Sequence, residues 1–90
     1  MAVYKFYAVF EKVDEAVIVT FPDLENVYTD GETLIDAMSN AYDVLETMLV
    51  EMEQDGEVIP PASKAEDLKG KLPEGASLIY IEVDTEIDSK

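Results

Sequence analysis

The 90-residue sequence predicts an α+β domain with element order β-β-β-α-α-β, in which one long helix packs on one face of a small sheet. Three observations carry this. Runs of apolar residues at every second position mark strands, and one apolar stripe at three- and four-residue spacing marks a helix of roughly six turns. Pro22, Asp30-Gly31, Gly56, Pro60-Pro61 and Pro73-Glu74-Gly75 punctuate the runs.

The first strand is Val3 to Lys12, with Tyr4, Phe6, Ala8 and Phe10 on one face and Val3, Lys5, Tyr7, Val9 and Glu11 on the other. Val13-Asp14-Glu15 suits a hairpin turn. Ala16 to Phe21 is the second strand, with Val17, Val19 and Phe21 on one side, and Pro22 ends its pairing because it has no N–H to donate. After a loop at Asp23-Leu24-Glu25-Asn26, Val27-Tyr28-Thr29 predicts a short third strand, antiparallel to the second, and Asp30-Gly31 a turn. Thr33 is placed to cap a helix whose stripe is Leu34, Ala37, Met38, Ala41, Leu45, Met48, Leu49 and Met52; Val50 falls on its polar side. Gly56 stops it. Ser63-Lys64-Ala65-Glu66 reads as a capping box for a short second helix ending by Gly70. Ser77 to Asp84 is the last strand, expected beside the first and parallel to it after a right-handed crossover; Thr85 to Lys90 reads as a polar tail. One helix covers one sheet face, so Val3, Tyr7, Val9, Ile18 and Leu78 or Tyr80 are left on the other, an apolar surface expected to meet a partner or a second copy.

Charge divides the chain. The net charge is −15, and no arginine, histidine or cysteine is present. Between Lys12 and Lys64 there is no basic residue but thirteen acids: Asp14, Glu15, Asp23, Glu25, Asp30, Glu32, Asp36, Asp43, Glu46, Glu51, Glu53, Asp55 and Glu57. This argues against direct nucleic-acid binding, which uses lysine and arginine on phosphates. Such a block either solubilises the domain or steers a basic partner to it.

Composition also narrows the chemistry. Without cysteine or histidine there is no disulfide, no thiolate or imidazole metal ligand and no ordinary neutral-pH base. Ser39, Ser63, Ser77 and Ser89 lack a histidine to activate them, and the four glycines are too scattered for a phosphate loop. Asp84-Thr85-Glu86-Ile87-Asp88 lacks the glycine and closing glutamate of a calcium loop. A carboxylate cluster of Glu11, Asp23 and Glu82 at strand ends is the one remote catalytic alternative. No catalytic residue, metal ligand or cofactor is assigned. The amino terminus has no signal-peptide pattern and no stretch approaches the roughly 20 apolar residues of a membrane span, so the expectation is a cytoplasmic protein.

A family resemblance adds to this. Tyr7-Ala8-Val9-Phe10-Glu11, Val17 to Leu24 with its Phe21-Pro22-Asp23-Leu24, Thr29 to Leu34, the Ala37 and Asn40-Ala41 spacing, and Asp55 to Ser63 follow one another in order. With the strand Leu78 to Asp84, this set resembles the N-terminal domain of HicB-type antitoxins of bacterial toxin–antitoxin systems. The sequence departs from that pattern after Leu24, where Glu25-Asn26-Val27 stand in place of Pro-Gly and a cysteine. The resemblance implies a partial ribonuclease-H-like fold without catalytic activity. It also implies a partner, a small basic HicA-type ribonuclease that cleaves mRNA, and a tendency to form homo-oligomers.

The expectations are then these. Residues 1–84 form the HicB-like domain, 85–90 a tail, and no DNA-binding segment is present. The chain neutralises a HicA-type toxin by masking its RNA-binding surface, or else is a stand-alone acidic interaction module. Contacts are expected first from Asp23, Glu25, Asp30 and Glu32 in the loop and at the helix start, then from Asp36 and Asp43 on the exposed helix face.

Overall fold

The computed structural model describes residues 3–85 of the chain. The elements are β1 (Val3–Val13), β2 (Ala16–Thr20), β3 (Tyr28–Gly31), α1 (Leu34–Asp55), α2 (Ala65–Lys69) and β4 (Ala76–Asp84). The strands form one sheet in the order β3-β2-β1-β4, and α1 lies across one face. The α+β class and element order are as the sequence predicts.

Alternation in β1 sends Phe6, Ala8 and Phe10 into the core, where they meet Val19 of β2 and Ile81 and Val83 of β4. The stripe of α1 closes over them, with Ala37, Ala41, Leu45 and Leu49 buried and Met38, Met48 and Met52 partly so. Leu34, expected in the stripe, is exposed. Gly31 at the end of β3 already packs on Ala37, so Leu34, one turn earlier, overhangs the sheet. Val50 is half-buried and Val44 joins the core margin. The Thr33 hydroxyl accepts the Asp36 amide at 3.1 Å, and Gly56 closes the helix in the left-handed conformation, φ 72°.

Three expectations need correction. Asp30-Gly31 is not a turn: both residues pair with β2, Gly31 opposite Val17 and Asp30 opposite Ile18. Glycine is required there for space, since a Cβ on Gly31 would stand 2.4 Å from the Ala37 nitrogen. Second, β4 runs antiparallel to β1, from Val3↔Asp84 to Glu11↔Ala76. The helix carries the chain from the end of β3 back along the sheet, and residues 57–75 climb the length of it again, so β4 enters from the opposite end. Third, Ser63 does not cap α2. The N-cap is Lys64, without a side-chain bond, and Ser63 is engaged by Asp23 instead. Thr85, expected in the tail, is buried; the rest of the tail, residues 86–90, lies outside the described residues.

Candidate protein-interaction surface

Five of the six acids expected to make contact fall into two groups at opposite ends of α1, and Asp43 lies between them. At its start, Asn40 donates from Nδ2 to the Asp30 carbonyl at 2.8 Å, fixing the helix to the end of β3. Asp30, Glu32 and Asp36 then surround, with Ala16, Ser39 and Asn40, a shallow basin of about 390 Å³. Asp43 is exposed two turns further along. Asp23 and Glu25 lie at the other end, beside Met48 and Met52. Met48 is twelve residues beyond Asp36, about 18 Å along the helix at 1.5 Å per residue. The structure therefore brings three of the six together and sets Asp23 and Glu25 apart from them.

Asp23 is the one acid of the six with a defined internal duty. The loop after β2 folds back on itself, with the Phe21 amide donating to the Val27 carbonyl (3.2 Å) and the Leu24 amide to the Phe21 carbonyl (3.0 Å). This buries Phe21, Leu24 and Val27 and points the half-buried Asp23 carboxylate at Ser63. Ser63 donates its backbone N–H (2.7 Å) and its hydroxyl (2.5 Å) to the two carboxylate oxygens. A carboxylate can accept both at once, and such charge-assisted bonds are the stronger kind. The segment after Gly56, which has no regular structure, is thus held against the loop.

Between them lies a groove of about 440 Å³. Its walls are Asp23, Leu24, Glu25, Asn26 and Val27 from the loop, Met48 and Met52 from α1, and Glu57, Val58 and Pro60 from the following segment. The sequence favours packing over a binding surface for the methionines, and Glu57, Val58 and Pro60 are not among the contacts expected from it. The available signal was Glu57-Val58-Ile59 running into Pro60-Pro61, since prolines favour an extended strap over a continued helix.

The sheet face away from α1 carries the expected apolar residues. Tyr7 and Tyr80 face each other across β1 and β4 with ring centroids 4.8 Å apart and planes tilted by 45°. Val9, Ile18 and Leu78 are half-exposed beside them, and Tyr28 is 66% exposed at the β3 edge. Lys5 opposite Glu82 introduces charge at one end of this face.

The remote carboxylate cluster is not assembled. Glu11 pairs across from Ala76 and Glu82 across from Lys5, positions six residues apart on β1, roughly 20 Å at strand rise, while Asp23 is turned to Ser63. Among the described residues no group of three or more acids is disposed to hold a metal ion, and no helix is long and apolar enough to cross a membrane. The Tyr4 phenol donates to Glu53 at 2.7 Å, and its pKa is raised first by that bond, then by burial and by the Glu53 charge.

A protein-family model described as "HicB_like antitoxin of bacterial toxin-antitoxin system" matches residues 6–90. The uncharacterized 14.9 kDa protein in the rep-hol intergenic region of Haemophilus phage HP1 is 30% identical over 77 residues, 86% of this chain; the chain spans 57% of that relative's length. The crystal structure of the N-terminal domain of the Burkholderia pseudomallei antitoxin HicB is similar at 29% identity and a TM-score of 0.67, covering 90% of this chain and 96% of that one. A toxin–antitoxin complex from Streptococcus pneumoniae has a chain with a TM-score of 0.79 at 19% identity, covering 96% of this chain and 72% of its own. The HicA3 and HicB3 toxin–antitoxin complex has one with a TM-score of 0.65 at 23% identity, covering 90% and 99%. At those identities the last two likenesses are of fold.

Proposed function

The chain belongs to the HicB-like antitoxin family of bacterial toxin–antitoxin systems, and from that premise we propose that it neutralises a small basic HicA-type ribonuclease in the cytoplasm. It does so by occupying the toxin's RNA-binding and active surface, without catalysis and without binding nucleic acid itself. The observation that carries this is the lysine-free interval from residue 13 to residue 63, whose acids lie along α1, in the segments on either side of it and in the β1–β2 turn. A toxin surface built to hold RNA phosphates is positive, and such a surface is attracted to a field of carboxylates before any contact forms. Antitoxin–toxin complexes among the folds this chain resembles support the partner class. The exposed acids Glu25, Asp30, Glu32, Asp36 and Asp43 provide the field. Asp23 contributes by shaping the loop.

The test is to purify the chain from its native cell, identify the small basic protein that accompanies it, and measure mRNA cleavage by that protein with and without the chain. Stoichiometric inhibition is expected. Recovery of no small basic protein would leave an acidic interaction module of the same fold with no toxin partner.

Self-association belongs to the same reading. The Tyr7–Tyr80 face and its apolar neighbours have no cover from α1, and pairing two such faces removes apolar surface from water. Sedimentation at micromolar concentration should give more than one copy per particle; a monomer throughout would refute this part alone.

A further inference from the structure

We propose that the groove between α1 and the strap at residues 57–60 is the anchoring site for the basic partner, receiving a lysine or arginine that stands beside apolar side chains on the toxin surface. This deepens the antitoxin reading and rests on it. Among the residues lining the basin at the start of α1 only Ala16 has an apolar side chain, so that surface suits long-range attraction. The groove combines that charge with an apolar lining. Met48 and Met52 are half-buried on its helical wall, and Val58 stands 89% exposed on its rim. An isolated exposed valine is ordinary; this one borders a concavity whose lining also includes Leu24, Met48, Met52 and Pro60.

The chemistry of the occupant follows from that combination. Lysine and arginine have apolar stems and charged heads, so a stem can lie on thioethers and a valine while the head remains at the mouth. Glu25 and Glu57, both exposed, stand at the groove. Every lining residue lies within the lysine-free interval of the sequence. Methionine adapts its shape to an incoming group at little cost. An acidic or purely apolar occupant would leave the glutamates repelled or unpaired. A second copy of this chain would bring mostly further acids. The groove is also formed in advance. The Asp23–Ser63 bonds hold the strap, the Glu57 amide donates to the Met52 carbonyl at 2.9 Å, and the loop is closed by its own backbone bonds. Binding then has little chain left to order, which favours affinity. Buried anchors of this type carry most of the energy of an interface, while surrounding charges set approach and register.

The experiment titrates the chain, isotopically labelled at Met, Leu and Val methyls, with an inactive point variant of the toxin that co-purifies with it. Affinity is measured in parallel for Val58→Asp, for the double variant Glu25→Lys/Glu57→Lys, and for Asp36→Asn/Asp43→Asn. All the substituted residues are exposed, and thermal melts check that each variant is folded. The expected result is a shift of the Met48 and Met52 methyl signals, with at least tenfold weaker binding for Val58→Asp and for the double reversal, and less than threefold for the helix-face pair. Wild-type affinity in Val58→Asp and the double reversal, or methyl signals that stay in place as toxin binds, would overturn the groove and leave the antitoxin reading standing. Absence of any toxin binding by the wild-type chain would overturn both.

Discussion

Replacing Asp23 by alanine tests whether its carboxylate acts within the fold. The substitution removes the acceptors of both Ser63 bonds, the amide at 2.7 Å and the hydroxyl at 2.5 Å. Hydrogen bonds to charged groups contribute about 1.5–3 kcal/mol each where buried. Both partners here are half-buried, and the freed amide and hydroxyl can turn to water, so the pair is worth roughly 2 kcal/mol. For a domain of this size that lowers the melting temperature by about 10 °C. Ser63→Ala removes only the hydroxyl bond and should cost about 1 kcal/mol. The double variant should fall short of the sum by about 1 kcal/mol, because the hydroxyl bond is counted in both single changes. Urea unfolding gives the energies, and hydrogen exchange at the Ser63 amide reports the local bond. Unchanged unfolding in Asp23→Ala, together with unchanged Ser63 exchange, would show that the strap is held by other contacts.

Four further outcomes are expected. Gly31→Ala forces a Cβ to within 2.4 Å of the Ala37 backbone nitrogen and should cost about 1–3 kcal/mol in urea unfolding, since α1 must move off the sheet. Thr33→Ala removes the only side-chain cap of α1 and should cost about 1 kcal/mol in the same assay. In an alkaline absorbance titration, one of the five tyrosines should ionise later than a free phenol, and Tyr4→Phe should delete that component. The sign follows from the raised pKa: the bond from the protonated Tyr4 phenol to the Glu53 carboxylate supports the fold near neutral pH and is lost as pH rises from about 10 through the folded value. Toxin association should slow as salt is raised from low to physiological; a salt-independent on-rate would refute steering by the acidic interval.

The helix was legible in the sequence because its burial is periodic: Ala37, Ala41, Leu45 and Leu49 recur every fourth residue, and Thr33 and Gly56 bracket them with local chemistry. The alternation of Phe6, Ala8 and Phe10 was legible for the same reason. What escaped was set by distant partners. Ser63 has the local pattern of a cap, but a carboxylate forty residues earlier in the chain claims both of its donors. Asp30-Gly31 has the composition of a turn, but its glycine answers to the approach of a helix backbone. The direction of β4 depended on whether residues 57–75 cross the length of the sheet, and a segment whose one regular element is the five-residue α2 has too little period from which to read that. The groove escaped likewise, since its walls come from three stretches that are neighbours only after folding.

The antiparallel seating of β4 has a consequence in time. β1 is an inner strand, yet one of its two neighbours is β4, the last of the four described strands, with position 3 opposite position 84. Pairing them closes the stretch from residue 3 to residue 84 into one loop, an entropy cost met before the contacts that reward it. Such non-local pairing belongs to slow folding, milliseconds and longer, in contrast to the microseconds of local helical bundles. During synthesis, β1 must wait beside β2 with its other edge bare until Ala76–Asp84 has left the ribosome. Chains interrupted before that point present an unpaired apolar strand edge, the feature by which partly made proteins aggregate.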